Sequence, residues 1–451
     1  MDEKYDDTSI TSIVEYAQKL VGHSLREMTS SNGLADPKRR RGSFGNALEE
    51  YYFGYRINSD GRPDFYKVGL ELKSTPLKHN AKNELIAKER LVITMVNYDD
   101  VVNETFETSH FMNKAASILL VSYLWEKDAN PVDYQVVLAE VWKIPEEDIP
   151  QVKADWETVV AKVRAGHAED ISGSDTLYLE ACTKAADSSV RRSQPYSDVL
   201  AKPRAWALKA SYMTAMENGL LEKRERIERS QNEKSLDLLS LVQERFLPYI
   251  GMTEDELCTK YGIGHAGGRK PKNACALITK HILGVSQDAK VEEFEKAGIK
   301  PRTMRLHANG RPTESVPLYS TLDYSEIEEI PFKDSEFNRR LQNPFLFVVY
   351  IETSKGSGVY RLHDVTLWQM PDVDLDEAKR CYDQMRENVR EGHAEVSVKS
   401  SENRCCHVRP HGRNAADTSP QPHGNPVSKK CFWLNQDYLA GEIARAASLP
   451  G

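Results

Sequence analysis

The chain repeats itself once. Trp142-Lys-Ile-Pro returns as Trp368-Gln-Met-Pro, 226 positions later. The same offset of 226 relates Val163-Arg-Ala-Gly-His-Ala-Glu169 to Val389-Arg-Glu-Gly-His-Ala-Glu395. It also relates Trp206-Ala-Leu-Lys-Ala-Ser-Tyr212 to Phe432-Trp-Leu-Asn-Gln-Asp-Tyr438. Solenoids and propellers repeat every 20–50 residues or so, roughly a tenth to a quarter of this period. The repeat therefore points to two copies of one domain. A length of 451 residues agrees, since a domain takes about 150. We expect a first domain over 1–215, a charged helical linker over 216–239 and a second domain over 240–451. The linker expectation rests on Leu220–Lys234, which is mostly charged and reads as a solvated helix or connection.

Composition removes several classes. With 40% hydrophobic and 28% charged residues, the chain can bury real cores, so disorder, collagen and disulfide miniproteins are excluded. No apolar run approaches the ~18 residues of a membrane helix. The longest runs, Ile118–Tyr123 and Pro344–Ile351, have strand length, and no membrane partner is expected. The opening MDEKYDD is acidic and lacks an apolar core, so no signal peptide is expected. Seven cysteines, odd in number and without CxxC spacing, suit a reducing cytoplasm. A net charge of −8 does not advertise nucleic-acid binding, yet a local basic cleft can coexist with it.

Helical spacing runs from Ile10 through Ile13, Val14, Ala17, Leu20 and Val21 to Leu25, after the capping types Thr8 and Ser9. A basic loop, Pro37-Lys-Arg-Arg-Arg41-Gly42, follows. Phe44–Gly54 is amphipathic, with Ala47, Leu48, Tyr51 and Tyr52 on one side. Strands are expected at 68–73, 91–96, 118–123 and 135–142, and a helix over 155–165.

One arrangement carries chemistry. Pro63-Asp64 is followed after six residues by Glu71-Leu-Lys73, a PD-x6-ExK pattern. Strand alternation puts Glu71 and Lys73 on one face and Leu70 and Leu72 on the other. Asp64 and Glu71 can then hold a hard divalent cation through oxygen, as Mg²⁺ prefers. Lys73 beside them can orient a water or offset charge developing on a phosphate. A solvated strand face would read the same way. Glu49, fifteen residues before Asp64 and flanked by apolar positions, can add a third carboxylate; an exposed Glu49 or Glu50 is the plainer alternative.

The second copy sharpens the reading. Its counterpart segment is Glu292-Glu-Phe-Glu-Lys-Ala-Gly298-Ile-Lys300-Pro-Arg302. There Asp64 corresponds to Glu293, Glu71 to Lys300 and Lys73 to Arg302. Thr279 stands where Glu49 stood. A cation at a metal-ligand position repels the ion, so the second copy is expected to keep the fold and lose the chemistry.

Arg41-Gly42, Gly45-x3-Glu49, Pro63-Asp64 and Gly69-Leu-Glu71-Leu-Lys73-Ser-Thr resemble the MutH family of mismatch-repair nicking endonucleases. Lys88-Glu-Arg-Leu-Val, Phe106-Glu-Thr-Ser-His-Phe, Cys182-Thr-Lys184, Gln194-Pro-Tyr-Ser-Asp198 and Cys406-His-Val-Arg-Pro-His411 are similar to the GATC-cutting type II restriction endonucleases related to MutH. The resemblance covers nearly the whole chain. It implies an α/β (mixed α+β) fold: two restriction-endonuclease-like domains, each a central mixed sheet flanked by helices. It implies Mg²⁺-dependent hydrolysis of double-stranded DNA, with Glu49, Asp64 and Glu71 as metal ligands and Lys73 as the catalytic lysine. It places Arg41, Gly42 and Lys184 in DNA-contacting segments. Arg409 and His411, in an Arg-Pro-His run similar to the family's Arg-Pro-Lys, imply that the second copy still binds DNA, as an effector at a further site. A monomer that pairs on DNA is expected. Two other readings stay open: a mismatch-repair nickase, and a DNA-binding protein that does not cut.

Overall fold

The computed structural model describes residues 4–29, 44–55, 62–80, 83–185, 187, 189–217, 224–264, 270–318, 321–414 and 416–446. The chain divides into two compact units. One runs to Lys223 and takes in Glu295–Ala297; the other runs from Arg224 to Phe294 and from Gly298 onward.

The first unit is built on a four-stranded sheet in the order Leu85–Ala87, Glu71–His79, Ile118–Leu124, Val136–Trp142. Glu71–His79 and Ile118–Leu124 run parallel, and the outer pairs are antiparallel. The apolar run at 118–123 becomes an inner strand buried along all but its last residue. A strand covered on both faces has no polar side, which is why it shows no alternation. A second, antiparallel sheet orders Leu91–Met95, Arg204–Leu208, Leu179–Thr183. Helix Ile149–Arg164 buries Val152, Trp156, Val159, Val160 and Val163 along one stripe, the spacing a helix lying on a core requires. The Asp155 carboxylate on this helix accepts from the backbone N–H groups of Leu177, Tyr178 and Leu179. That fixes the helix against the start of the next strand.

The second unit follows the same plan. Its mixed sheet orders Lys300–Leu306, Phe345–Glu352, Tyr360–Trp368, with the first pair parallel and the second antiparallel. Lys430–Leu434 is the middle strand of an antiparallel sheet with Val316–Pro317 and Cys406–Pro410. Glu71 lies across from Ile118, and Ile118 across from Trp142. Lys300 lies across from Phe345, and Phe345 across from Trp368. Trp142 and Trp368 are landmarks of the repeat, so these two rows are one row in two copies. Both sheets even shift register at matching points, Ser122/Tyr123 and Val349/Tyr350.

Three local expectations change. The helix expected from Ile10 to Leu25 stops at Gln18. Gly22 has a positive φ of 86°, and Ser24 starts a separate helix, Leu25–Met28, with a capping box to Glu27. The strand expected at 68–73 begins at Glu71, because a turn precedes it. The charged stretch, expected to be helical, holds a short strand, Arg224–Glu225, and a 3-10 turn, Gln231–Glu233. Its charges are used in specific pairs: Arg226 with Glu292 at 2.6 Å, and Glu233 accepting from Arg245 Nη2 at 2.8 Å. Ile227 is buried among them. All seven cysteines are free and buried. No described helix is long and apolar enough to cross a membrane.

Candidate active site

The six residues between Asp64 and Glu71 form a turn that doubles the chain back. Phe65 N–H donates to Leu70 O at 2.9 Å and Leu70 N–H to Phe65 O at 3.3 Å. Gly69 closes the turn at φ 66°, where a side chain is strained and glycine is not. The turn returns Asp64 to the head of the strand. Its Oδ2 accepts from Leu72 N–H at 2.9 Å, and its own N–H donates to Glu71 Oε2 at 3.3 Å. The spacing of the PD-x6-E pattern is thus the length of one closed turn. Glu71 is buried, at 2% exposure. Lys73 Nζ donates to Glu71 Oε1 at 2.6 Å, which is the shared face that strand alternation predicted.

Glu49 arrives from a different element. Phe44–Ala47 is α-helical, and Leu48–Phe53 continues it as a π turn. Gly54 and Tyr55 both donate backbone N–H groups to Glu49 O, at 2.9 and 3.2 Å. Such π turns are rare and concentrate at functional sites, because the wider turn re-aims the side chains it carries. Glu49 is half-buried. Burial, and then the charge of Asp64, push its carboxyl up to about 7. Asp64 is also raised, by burial first and by Glu71 second. The three carboxylates therefore share one patch, in which Asp64 and Glu71 oppose the ionisation of Glu49, and Glu71 that of Asp64.

Two further residues belong to this patch, and no motif announced either. Lys114 is 7% exposed and lies on helix His110–Ala115. Its Nζ donates to Glu71 Oε2 at 2.9 Å and to Arg62 O at 2.6 Å. Each oxygen of Glu71 thus faces an ammonium. Tyr55 packs edge-on against Phe65, with ring centroids 5.6 Å apart. Its hydroxyl is buried with no hydrogen-bond partner among the described residues. Burial, then Asp64 and Glu49, hold its phenol well above the ordinary range. The three carboxylates do not bring oxygens within 4.8 Å of one another as a ligand set would. Among the described residues that spacing occurs at His167, Glu169 and Asp170, on the surface. The chemistry of the donors still fits a hard divalent ion: all are carboxylate oxygens, and Glu49 and Asp64 are each raised by a neighbouring carboxylate, which added positive charge relieves.

The MutH family model, described as DNA mismatch repair enzyme MutH, matches residues 53–155, a span containing Asp64, Glu71, Lys73 and Lys114. The type II restriction enzyme Sau3AI of Staphylococcus aureus is 32% identical over 95% of this chain and 96% of its own. The chain belongs to the MutH-related type II restriction endonucleases. The DNA mismatch repair protein MutH of Vibrio campbellii is 29% identical, over 41% of this chain but 81% of its own. That of Shigella flexneri is 26% identical, over 45% of this chain and 90% of its own. A MutH protein thus accounts for about one copy, and the restriction endonuclease for both. As a member of this family the protein is a sequence-specific DNA endonuclease with a restriction-endonuclease-like fold. Nucleases of this kind generally use a divalent metal.

In this endonuclease the second copy keeps one carboxylate, Glu293, where the first has Glu49, Asp64 and Glu71. The sheet row puts Lys300 at the place of Glu71 and Arg302 at that of Lys73. Helix Ala274–Leu283 stands for Phe44–Phe53, without the π turn. Both segments end on a left-handed glycine, Gly54 and Gly284. Thr279 replaces Glu49, and its hydroxyl donates to Cys275 O at 3.0 Å. Val285 replaces Tyr55. Glu293, standing for Asp64, accepts from Ile227 N–H at 3.2 Å.

The candidate DNA contacts lie apart from the carboxylates in sequence. Arg41 and Gly42 fall outside the described residues. Lys184 is exposed just past strand Leu179–Thr183, its N–H donating to Pro203 O at 2.9 Å. His411 follows Cys406–Pro410 in the same way, its N–H donating to Lys429 O at 2.8 Å. Lys184 and His411 are therefore one position in two copies. Arg409 is exposed and lies over the Trp433 ring at 3.8 Å, and His411 meets the same ring at 5.1 Å.

Proposed function

We propose that this endonuclease cuts both strands of DNA at GATC, with Mg²⁺, in its first copy alone. The second copy binds a further DNA site and stimulates the first. The observation behind this reading is the inversion of one sheet row, from Glu71 and Lys73 in one copy to Lys300 and Arg302 in the other.

Glu49, Asp64 and Glu71 would hold the ion. A bound ion would make an attacking water more acidic and would polarise the phosphate. Lys73 and Lys114 hold Glu71 in place, one ammonium on each carboxylate oxygen. Lys73, the more exposed of the two, is the group able to turn toward a phosphate oxygen and offset charge there. Arg41 and Lys184 fix the protein on the backbone; they add affinity and salt dependence but read no bases. Lys184→Ala should therefore weaken binding similarly on all sequences.

Incubation with plasmid carrying GATC and Mg²⁺ tests the reading. Linear product at GATC is expected. Nicked circles as the final product would favour a mismatch-repair type of nickase. Binding without any cleavage would overturn the assignment.

A further inference from the structure

The degenerate copy does not only lose carboxylates; it puts cations in their row. Arg302, at the place of Lys73, is the unusual one. Its Nε is buried with no partner among the described residues. Its Nη1 reaches Pro301 O at 3.5 Å, the outer limit of a hydrogen bond. Among the described residues the groups that act on it are Arg340, a second cation, and the Cys431 thiol. Burial first, and Arg340 second, hold its pKa below the guanidinium's ordinary value. Arg340 itself pairs with Glu336 at 3.0 Å. Arg302 as a whole is half-buried, and a cation partly withdrawn from water is normally paired.

The surroundings say what would pair with it. Cys431 lies directly across from Arg409 in the Cys406–Pro410 and Lys430–Leu434 ladder. Residues opposite each other share a face, and Trp433, two residues along, shares it too. Arg302 thus borders the strand pair that presents Arg409 on Trp433 and His411 beside it. A guanidinium fork matches the oxygens of a phosphate.

We propose that the former metal site of the second copy is a metal-free phosphate site, in which Arg302, with Arg340 beside it, takes a backbone phosphate of duplex DNA. It rests on the reading that the second copy binds DNA. The first copy needs a cation before its carboxylates tolerate a phosphate; the second supplies positive charge from its own side chains.

The test uses the full chain and a duplex carrying the recognition site, in EDTA throughout. Affinity is measured against KCl concentration for the parent, Arg302→Gln, Arg302→Lys and Arg409→Ala. Arg302→Gln should weaken binding roughly tenfold or more, the worth of a charge-assisted hydrogen bond. Its salt slope should fall by about one unit, as for one lost phosphate contact. Its melting temperature without DNA should equal or exceed the parent's, and Arg302→Lys should keep most of the slope. A lowered melting temperature in Arg302→Gln would mean a structural role and overturn the proposal. Parent-like affinity and slope in Arg302→Gln, with weakened Arg409→Ala, would overturn it while leaving a DNA-binding second copy intact. Failure of the parent to bind duplex in EDTA would remove both. Stabilisation of the parent by inorganic phosphate as large as by duplex would show that the ligand is a free anion and not the DNA backbone.

Discussion

Glu49 sets the pH behaviour of the first copy. Its carboxyl is held at about 7 by burial and by Asp64, whereas an unfolded chain releases that proton near the ordinary glutamate value. Between the two, the folded state holds more protons than the unfolded one, so stability is full at low pH and is lost as pH rises toward 7. Melting temperatures without divalent metal should therefore fall from pH 5 to pH 8 more steeply in the parent than in Glu49→Gln. Parallel curves would contradict the assignment. Glu71 behaves differently, since it neutralises the buried Lys114. Glu71→Ala leaves that ammonium without its carboxylate and should cost about 3–5 kcal/mol in urea unfolding. Asp64→Asn keeps the side chain's shape at a less enclosed position and should cost under half of that. The motif residues Asp64, Glu71 and Lys73 were legible in the sequence because their spacing is short and fixed. Lys114 and Tyr55 were not, because tertiary packing alone brings them to Glu71 and Asp64.

At the scale of elements, the Asp64–Leu70 turn joins the two halves of the motif. Gly69 sits at φ 66°, and a Cβ there would meet no described atom within 4 Å. Any effect of substitution is then conformational and not a clash. Gly69→Ala should lose about 1–2 kcal/mol, the strain of a left-handed residue with a side chain. It should also lower cleavage, because Asp64 moves relative to Glu71. Unchanged stability and rate would show that the turn tolerates another conformation. The apolar runs at 118–123 and 344–351 read correctly as strands, since burial on both faces leaves a continuous signal. The turn was invisible because Val68, Leu70 and Leu72 alternate like a strand. The stretch 224–234 was misread because a run of charge looks solvated until its partners, Glu292 and Arg245, are known.

Each of the two units carries a mixed sheet and an antiparallel one with corresponding strand pairs, in keeping with the repeat in the sequence. The register near Pro301 is supported by the row through Lys300, Phe345 and Trp368. If the second copy is an effector, plasmids with two recognition sites should be cut faster than plasmids with one. Coupling between sites is typically worth about 1–3 kcal/mol, or roughly 5- to 150-fold, and Arg409→Ala should reduce it. Equal rates on both plasmids would remove the effector role. The central claim is that all cleavage comes from the first copy. It is tested most directly by time courses of supercoiled plasmid with Mg²⁺ and the full-length Asp64→Asn protein. The account predicts that the plasmid stays supercoiled, neither nicked nor linear, while DNA binding persists. Accumulation of nicked circles would contradict it, because a second copy able to cut one strand would then be at work.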